Sequence, residues 1–172
     1  MSLIYGQNIQ LWVGDKTIAF AKTASFNITA NEVDCSTKDS GGYENVEIGL
    51  IGWEMTSENL VGNPRSGLGY DDLQELMLKR EKIDVIYGMK DEITAQTETY
   101  EVPATDGWAK PTKSSYYKGK AYITSLSNTS ANGEVATFSV TLKGCSALEH
   151  VKATGSGSTA QTMSLKNSAV KS

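Results

Sequence analysis

The feature that most constrains the fold is a two-residue alternation of apolar and polar side chains that recurs along the chain. In the segment 24–31, alanine, phenylalanine and isoleucine alternate with serine, asparagine and threonine, and the segment 136–143 repeats the pattern. Successive side chains of a β-strand point to opposite faces, so this alternation predicts strands with one face on a core and one in water. Half-buried strands of this kind are typical of antiparallel sheets.

The same pattern predicts three further strand regions. The segment 9–20 alternates on both sides of Gly14 and Asp15, which indicates a hairpin with a Gly-containing turn. Residues 82–88 and 116–127 also alternate, and each predicts one strand.

The segment 45–57 alternates with a change of phase. Valine, isoleucine and leucine occupy every second position up to Leu50, and the apolar series then restarts at Ile51. Gly49 and Gly52 flank this point. A one-residue phase change beside glycine predicts a β-bulge or bend.

One segment has a helical period instead. In residues 70–80, Leu73, Leu76 and Met77 recur at helical spacing, and Asp71 is followed three residues later by Gln74 as in a capping box. Acidic residues begin the segment and basic residues end it, which suits the helix macrodipole. The sequence predicts one helix here, lying on a sheet.

The 172 residues suffice for a single domain with its own core. Together the patterns predict a mainly β fold: an antiparallel β-sandwich or barrel with one flanking α-helix at about residues 70–80. We place this domain at residues 1–148. Residues 149–172 include the run TGSGST and are predicted to be a flexible Gly/Ser/Thr-rich tail.

The charge balance limits the possible partners. Sixteen basic and 20 acidic residues give a net charge of -4, which argues against a nucleic-acid grip because phosphate binding needs clustered Lys and Arg. A weakly acidic wall would still let DNA pass. We find no signal peptide and no apolar run of the roughly 20 residues that a membrane helix needs, so no membrane association is expected.

Nothing in the sequence has the arrangement of a catalytic or cofactor site. His150 is the only histidine and has no identifiable triad partner, so a solvent-exposed position is expected. Cys35 and Cys145 fit no metal spacing, and their disulfide state stays open. The glycine-rich runs lack the context of a phosphate loop. We predict that the protein is not an enzyme and has no metal, cofactor or small-molecule substrate.

The three tryptophans have different predicted roles. Trp53 lies beside the predicted bulge and is expected to anchor the core. Trp12 lies on the polar side of its strand, so an exposed position and a contact with another subunit are expected. Trp108 lies in a long polar segment, 89–115, where a subunit interface and a ligand contact are equally open.

The order of these elements carries a resemblance. A short strand, a hairpin, a strand ending in ITA and the loop TKDSGGY are followed by GWEMTSENLV and then by the helix YDDLQELML. The final pair of strands reads GKAYITSLSNTSANGEVATFSVTLKGCSAL. Over about residues 4–148 this order resembles the major tail protein family, the tail tube proteins of long-tailed, non-contractile phages.

The resemblance implies a structural virion protein whose subunits form rings, usually of six, that stack into a tube. The tube would conduct double-stranded DNA, which passes non-specifically through the lumen, and would enclose a tape-measure protein. Baseplate or tail-terminator proteins would be further partners. The protein would be made and assembled in the bacterial host cytoplasm and would reside in the virion tail.

The resemblance also implies a contact loop. Residues 36–44 would correspond to the family's loop that touches the adjacent ring. The expected inter-ring or inter-subunit contacts are Lys38, Asp39, Ser40, Gly41, Gly42 and Tyr43, together with Trp12. A glycine pair would let this loop be mobile in the monomer and ordered on docking.

Two alternatives remain open from the sequence. A carbohydrate- or receptor-binding β-sandwich would use exposed aromatic residues for stacking. An inner-tube protein of a contractile injection or secretion system would share the broad fold and the self-assembly.

Overall fold

The computed structural model describes residues 6–39, 41–62, 67–91 and 107–152. They form eight strands, one α-helix and a 3₁₀ turn at Gly6–Asn8. The strands are β1 Ile9–Val13, β2 Lys16–Thr17, β3 Ala21–Asp34, β4 Val46–Leu60, β5 Ile83–Met89, β6 Tyr116–Thr129, β7 Thr137–Gly144 and β8 Glu149–Val151, and the helix is α1 Tyr70–Lys79.

The strands make one antiparallel sheet in the order β2-β1-β5-β6-β7-β4-β3, with β8 paired to β6. Strand β6 belongs to both halves, since its first part pairs with β5 and its last part with β7. The sheet curls so that the halves face each other, and the ring centroid of Phe26 in β3 lies 5.5 Å from that of Tyr87 and 5.0 Å from that of Tyr117. The predicted mainly β, antiparallel fold with one helix is confirmed.

The core fills the space inside the curl. Buried residues from β1 and β5 meet buried residues from β4, β6 and β7, and the helix covers one side with Leu73. The members that are almost fully buried include Leu11, Val13, Met55, Leu73, Val85, Ala121, Phe138, Val140 and Leu142. The alternation predicted for 136–143 is therefore confirmed, because every second residue from Phe138 to Leu142 is buried.

The helix bounds agree with the prediction within one residue, and Leu73, Leu76 and Met77 pack on the core as expected. The predicted capping box at Asp71 and Gln74 is wrong. The cap lies two residues earlier, at Gly69, whose backbone N–H donates to the carboxylate of Asp72 at 2.9 Å. This arrangement satisfies a backbone donor with an N3 carboxylate.

The phase change in the segment 45–57 is a bulge, as predicted. Ala30 pairs with Ile51 and Glu32 pairs with Ile48, so two residues of β4 oppose Asn31 of β3. The predicted N-terminal hairpin is also confirmed by the pairing of β1 with β2.

Trp53 anchors the core as predicted, and two glycines make room for it. Its exposed fraction is 5%, and its indole N–H donates to the carbonyl of Ser146 at 2.8 Å. A Cβ atom at Gly144 would lie 2.1 Å from the indole, and one at Gly119 would lie 2.5 Å from it. The rings of Trp53 therefore occupy space that any other residue at these positions would need.

The prediction that Trp12 is exposed is wrong, so the contact with another subunit that was inferred from this exposure loses its basis. Trp12 has no exposed surface, and its indole N–H donates to the carbonyl of Trp108 at 2.8 Å. The hydroxyl of Thr17 also accepts a hydrogen bond from the backbone N–H of Trp108 at 3.3 Å. A distant segment of the chain thus covers the side of β1 that the pattern assigned to water.

The structure describes both ends of the long polar segment 89–115, and hydrogen bonds to Asp91 connect these two ends. Residues 92–106 lie outside the described residues. The Asp91 carboxylate accepts hydrogen bonds from the backbone N–H groups of Thr112, Lys113 and Ser114 and from the Thr112 hydroxyl. Burial opposes ionisation here, but these hydrogen bonds outweigh it and hold the pKa of Asp91 well below its usual range. Nearby, Lys90 Nζ lies 3.6 Å from the ring centroid of Trp108.

We expect Asp91→Asn to lower the unfolding free energy by about 1–2 kcal/mol near neutral pH, a figure reduced for partial exposure. Because the folded-state pKa is depressed, the carboxylate stabilises the fold above its unfolded pKa, and this contribution is lost as pH falls. The difference between wild type and variant should therefore shrink below about pH 4. Chemical denaturation at a series of pH values measures this, and Asp84→Asn, whose carboxylate lies 4.0 Å from Lys120 at the surface, serves as the control. A pH-independent difference would contradict the assignment.

The sheet extends past the boundary predicted at residues 148 and 149. Strand β8 pairs with β6, and His150 stacks on Tyr117 with ring centroids 4.5 Å apart. The prediction that His150 is solvent-exposed is therefore wrong. The remainder of the predicted tail, 153–172, lies outside the described residues. Cys35 is half-buried, Cys145 is exposed, and both are free thiols.

Candidate assembly interface

Strands β3, β4, β7 and β6 share an outer face that is rich in hydroxyl groups. Cross-strand pairs place serine and threonine side by side: the hydroxyls of Ser127 and Ser139 are 2.6 Å apart, and those of Ser25 and Thr56 are also hydrogen-bonded. We call this the polar sheet face, and its register rows contain Thr23, Ser25, Asn27, Glu54, Thr56, Glu58, Ser125, Ser127, Ser139, Thr141 and Lys143.

The charges of the polar sheet face are balanced. Glu54 lies directly opposite Lys143 in the pairing of β4 with β7, and Lys22 Nζ lies 3.9 Å from the carboxylate of Glu58. The face is therefore close to neutral and hydrogen-bonding, with little to attract or hold a polyanion.

Two polar residues of β4 are buried on its inner side, beside the apolar Trp53 and Met55. The Ser57 hydroxyl donates to Asn59 Oδ1 at 2.7 Å, and both side chains are buried on the inner side with Met55. A one-residue slip of β4 would expose this pair and bury Thr56 and Glu58, at the cost of unsatisfied polar groups. The cost of burying Glu58 and of exposing Trp53 and Met55 therefore holds β4 in its observed register.

This part of the sheet has two edges without a partner strand in the described residues. Strand β3 pairs only with β4 along its length. Residues 122–129 of β6 pair only with β7, because the pairing with β5 ends at Ala121. Unpaired edges present rows of free N–H and C=O groups that favour addition of another strand.

The β3–β4 hairpin continues beyond the domain as an arm. Every described residue from 27 to 52 is exposed, except the half-buried Cys35. We define the hairpin arm as residues 28–51. It carries large apolar side chains that the core does not cover, among them Leu50 at 80% exposed and Ile48 at 65%. An apolar two-stranded hairpin is marginally stable alone in water, so this exposure indicates a surface that is covered in an assembly.

The tip of the arm has ordered flanks. The backbone N–H of Cys35 donates to the carbonyl of Asn45 at 2.8 Å, and that of Asn45 donates to the Ser36 hydroxyl at 2.9 Å. Hydrogen bonds from Ser36 to the Asp34 carboxylate lower the pKa of Asp34.

The predicted contact residues Lys38, Asp39, Gly41, Gly42 and Tyr43 all lie at this tip, and Tyr43 is 83% exposed. Ser40, also predicted, lies outside the described residues. Gly41 and Gly42 have left-handed backbone angles, with φ of 63° and 83°, which other residues adopt with difficulty. The role of these residues as inter-ring or inter-subunit contacts stays a prediction.

The hairpin arm is also the acidic part of the chain. It contains five carboxylates and one lysine, so its formal charge of -4 equals that of the whole chain, and the remaining residues have as many basic as acidic groups. Two arms placed side by side would repel each other. The surface that covers an arm should therefore be another part of the molecule.

Among residues 6–39, 41–62, 67–91 and 107–152, no group of three or more His, Cys, Asp or Glu side chains could hold a metal ion. In the same part of the chain, no helix is both long enough and apolar enough to span a membrane.

No protein-family model matches the chain, and no curated protein matches it in sequence. Solved structures share its fold. A chain from the tail of the empty gene transfer agent (GTA) particle, refined with C6 symmetry, has a TM-score of 0.59 at 14% identity, covering 85% of this chain and 97% of that chain.

Two other assemblies contain similar chains. One is the sheath–tube complex of the extracellular contractile injection system PVC, with a TM-score of 0.56, 18% identity, and coverage of 86% of this chain and 90% of that chain. The other is the SPP1 tail tube, with a TM-score of 0.53, 12% identity, and coverage of 83% and 76%. At these identities the likeness shows that the fold is the one used in these tail and tube assemblies.

The sequence analysis singled out the loop that forms the arm tip, but it did not predict the open edge of β6. The alternation in 116–127 predicts a strand but not its neighbours, since strand order depends on the whole fold. The available signal was the length of the apolar and tyrosine-rich run, which exceeds what one short neighbour such as β5 could pair.

Proposed function

We propose that this protein is the subunit of a tail-type tube, and that its copies join into rings through the two open edges of the polar sheet face. The observation that carries the proposal is the pair of unpaired edges, β3 on one side and residues 122–129 of β6 on the other. Edge-to-edge pairing of identical copies around a closed ring removes both edges at once.

The strand directions support this arrangement. Each neighbour in the order β3-β4-β7-β6 is antiparallel to the next, so β6 runs opposite to β3. In a rotationally symmetric ring, β6 of one copy would meet β3 of the next in the antiparallel sense. The sheet would therefore continue from copy to copy with one pairing type throughout, and six copies would make a barrel of 24 strands.

The polar sheet face would line the lumen of this barrel. Its hydroxyl groups hold water, and its paired charges leave no cluster of cations to bind phosphate. Double-stranded DNA would pass such a wall without being retained. The buried side of the sheet would remain on the core within each subunit.

The more specific expectations rest on the resemblance to major tail proteins. A ring of six agrees with the C6 symmetry of the similar GTA tail. Tape-measure, baseplate and terminator partners, assembly in a bacterial cytoplasm and residence in a virion tail belong to this proposal. Both a non-contractile phage tail and the inner tube of a contractile system fit the same edges and face. The carbohydrate-binding alternative is weakened, because two of the three tryptophans that it would use are buried.

A pair of proline substitutions tests the open edge of β6. Successive residues of a strand direct their N–H groups to opposite edges, so Ser127→Pro and Asn128→Pro act on different sides. The proline at the residue whose N–H points to β7 removes a hydrogen bond to that strand and should lower the melting temperature. The other affects only the open edge, and we expect it to keep the melting temperature within about 3 °C of wild type while abolishing rings. Both residues are exposed, so each serves as the other's control.

The readout is negative-stain electron microscopy and light scattering of the purified full chain at high concentration. Wild type should form rings or tubes of uniform diameter with a central hole. A wild-type protein that remains monomeric at every concentration, or two proline variants that both assemble normally, would contradict the proposal.

A further inference from the structure

The turn between β6 and β7 contains the only asparagine of the chain that is followed by glycine, Asn132 before Gly133. The backbone N–H of Glu134 donates to the carbonyl of Ala131 at 3.2 Å, so Asn132 and Gly133 are the two central residues of a four-residue turn. Gly133 has a φ of 86°, and an added Cβ there would meet nothing beyond its chain neighbours within 4 Å. The turn therefore stands clear of the domain.

The two central residues of this turn are accessible to water. Both Asn132 and Gly133 are exposed. Among the residues that the structure describes, neither the Asn132 side chain nor the N–H of Gly133 forms a hydrogen bond. No such bond therefore holds the side-chain amide of Asn132 away from the backbone nitrogen that follows it.

We propose that Asn132 is a site of spontaneous deamidation. The backbone nitrogen of Gly133 attacks Cγ of Asn132, and the new C–N bond closes a succinimide ring. The bond between Cγ and Nδ2 breaks, and the amide nitrogen leaves as ammonia with the proton that the Gly133 nitrogen gives up. Water then adds to one of the ring carbonyl carbons and opens the ring to aspartate or isoaspartate. No oxidation or reduction occurs, and water is the only co-reactant.

Glycine makes the ring closure at this position accessible. The backbone must rotate until the nitrogen reaches Cγ, and glycine has no side chain to obstruct this approach and takes positive and negative φ with similar ease. Asn128 of β6 differs in both respects, because it precedes the β-branched Thr129 and pairs with Phe138 in the ladder with β7. An exposed turn opens locally at lower cost than a paired strand.

Deamidation changes both the charge and the backbone next to the open edge of β6. Either product places a carboxylate beside Glu134 and makes the net charge of -4 one unit more negative. Isoaspartate also carries a side-chain carbon in the main chain, which disrupts the turn that follows the end of β6 at Thr129. In the proposed ring, on which this consequence rests, subunits with isoaspartate should assemble less well. The modification itself does not depend on the ring.

Mass spectrometry of the full chain after incubation in mildly alkaline buffer tests the site. Trypsin cleaves after Lys120 and Lys143, and the peptide between them carries both Asn128 and Asn132. Fragmentation of this one peptide therefore compares two asparagines of the same sample and separates isoaspartate from aspartate. We expect Asn132 to convert at least about tenfold faster than Asn128, since glycine hinders the attack less than threonine does.

A conservative variant provides the matched control. Asn132→Gln keeps an exposed amide, but its extra methylene requires a larger ring that closes more slowly. We expect the variant to keep its melting temperature within about 3 °C of wild type and to show no conversion at this position over the same incubation. Electron microscopy of fresh and incubated samples should show a loss of rings on incubation for wild type and none for Asn132→Gln.

The outcomes distinguish this inference from the proposed function. Conversion of Asn132 no faster than that of Asn128 would overturn the modification site, whatever the protein assembles into. Equal ring formation by fresh and fully converted wild type would overturn the effect on assembly. If fresh wild type forms neither rings nor tubes, the proposed function fails and the effect on assembly fails with it, whereas the mass spectra still decide the modification.

Discussion

Replacing Gly144 by alanine should destabilise the subunit by about 3 kcal/mol, near the upper end for an overpacked core. The new Cβ would lie 2.1 Å from Cε2 and 2.3 Å from Cδ2 of Trp53, well inside van der Waals contact. The indole has no easy way to yield. Its N–H is fixed to the Ser146 carbonyl, and Gly119 confines its far edge. For a chain of this size the melting temperature should fall by about 6–12 °C.

A glycine in the same strand as Trp53 provides the matched control. An added Cβ at Gly52 would lie 3.7 Å from the Thr29 hydroxyl, which is ordinary contact, and alanine should leave stability unchanged or raise it slightly. A double variant, Gly144→Ala with Trp53→Leu, should be more stable than the sum of its single changes, because the smaller side chain removes the clash. Thermal and urea unfolding of wild type, the three single variants and the double variant measure these effects. Equal effects of Gly144→Ala and Gly52→Ala would show that the indole of Trp53 does not need the space beside Gly144.

The position of Trp53 explains why this site matters beyond the core. Trp53 is the first buried residue of β4 after the hairpin arm, and it pairs with Ile28, the residue of β3 at which the arm begins. The indole therefore fixes the root of the arm to the domain. Loosening this root should affect the direction of the arm as well as the stability of the subunit.

The sequence was informative where the determinants are local. The phase change between Leu50 and Ile51 predicted the bulge, and the spacing of Leu73, Leu76 and Met77 predicted the helix to within one residue. In both cases the side-chain period reports directly on backbone geometry.

The sequence failed where burial depends on distant segments. Trp12 is on the polar side of β1, but the Trp108 segment covers it from 96 residues away. The alternation in 24–31 continues past the core without interruption, so it could not reveal that Phe26 is half-buried while Ile28 is 53% exposed. The open edge of β6 depends on strand order, which no local period encodes.

The exposed isoleucines of the hairpin arm should control assembly without affecting the fold. The register pairs Ile48 with Glu32 and Ile51 with Ala30, and both isoleucines are more than half exposed. We expect the double variant Ile48→Thr, Ile51→Thr to keep the monomer's melting temperature within about 3 °C, since threonine retains a branched Cβ and strand preference. Core packing loses nothing, because neither residue belongs to it.

Assembly should weaken strongly in the same variant. Covering what remains exposed of each isoleucine contributes about 1–2 kcal/mol on docking, so two per subunit amount to about 3 kcal/mol. The protein concentration at which tubes appear should rise about 100-fold, as measured by light scattering and pelleting. Leu78→Thr changes an apolar side chain that is 73% exposed on the helix, outside the arm, and should leave this concentration unchanged. If the arm variant assembles like wild type while Leu78→Thr does not, the helix rather than the arm is the covered surface.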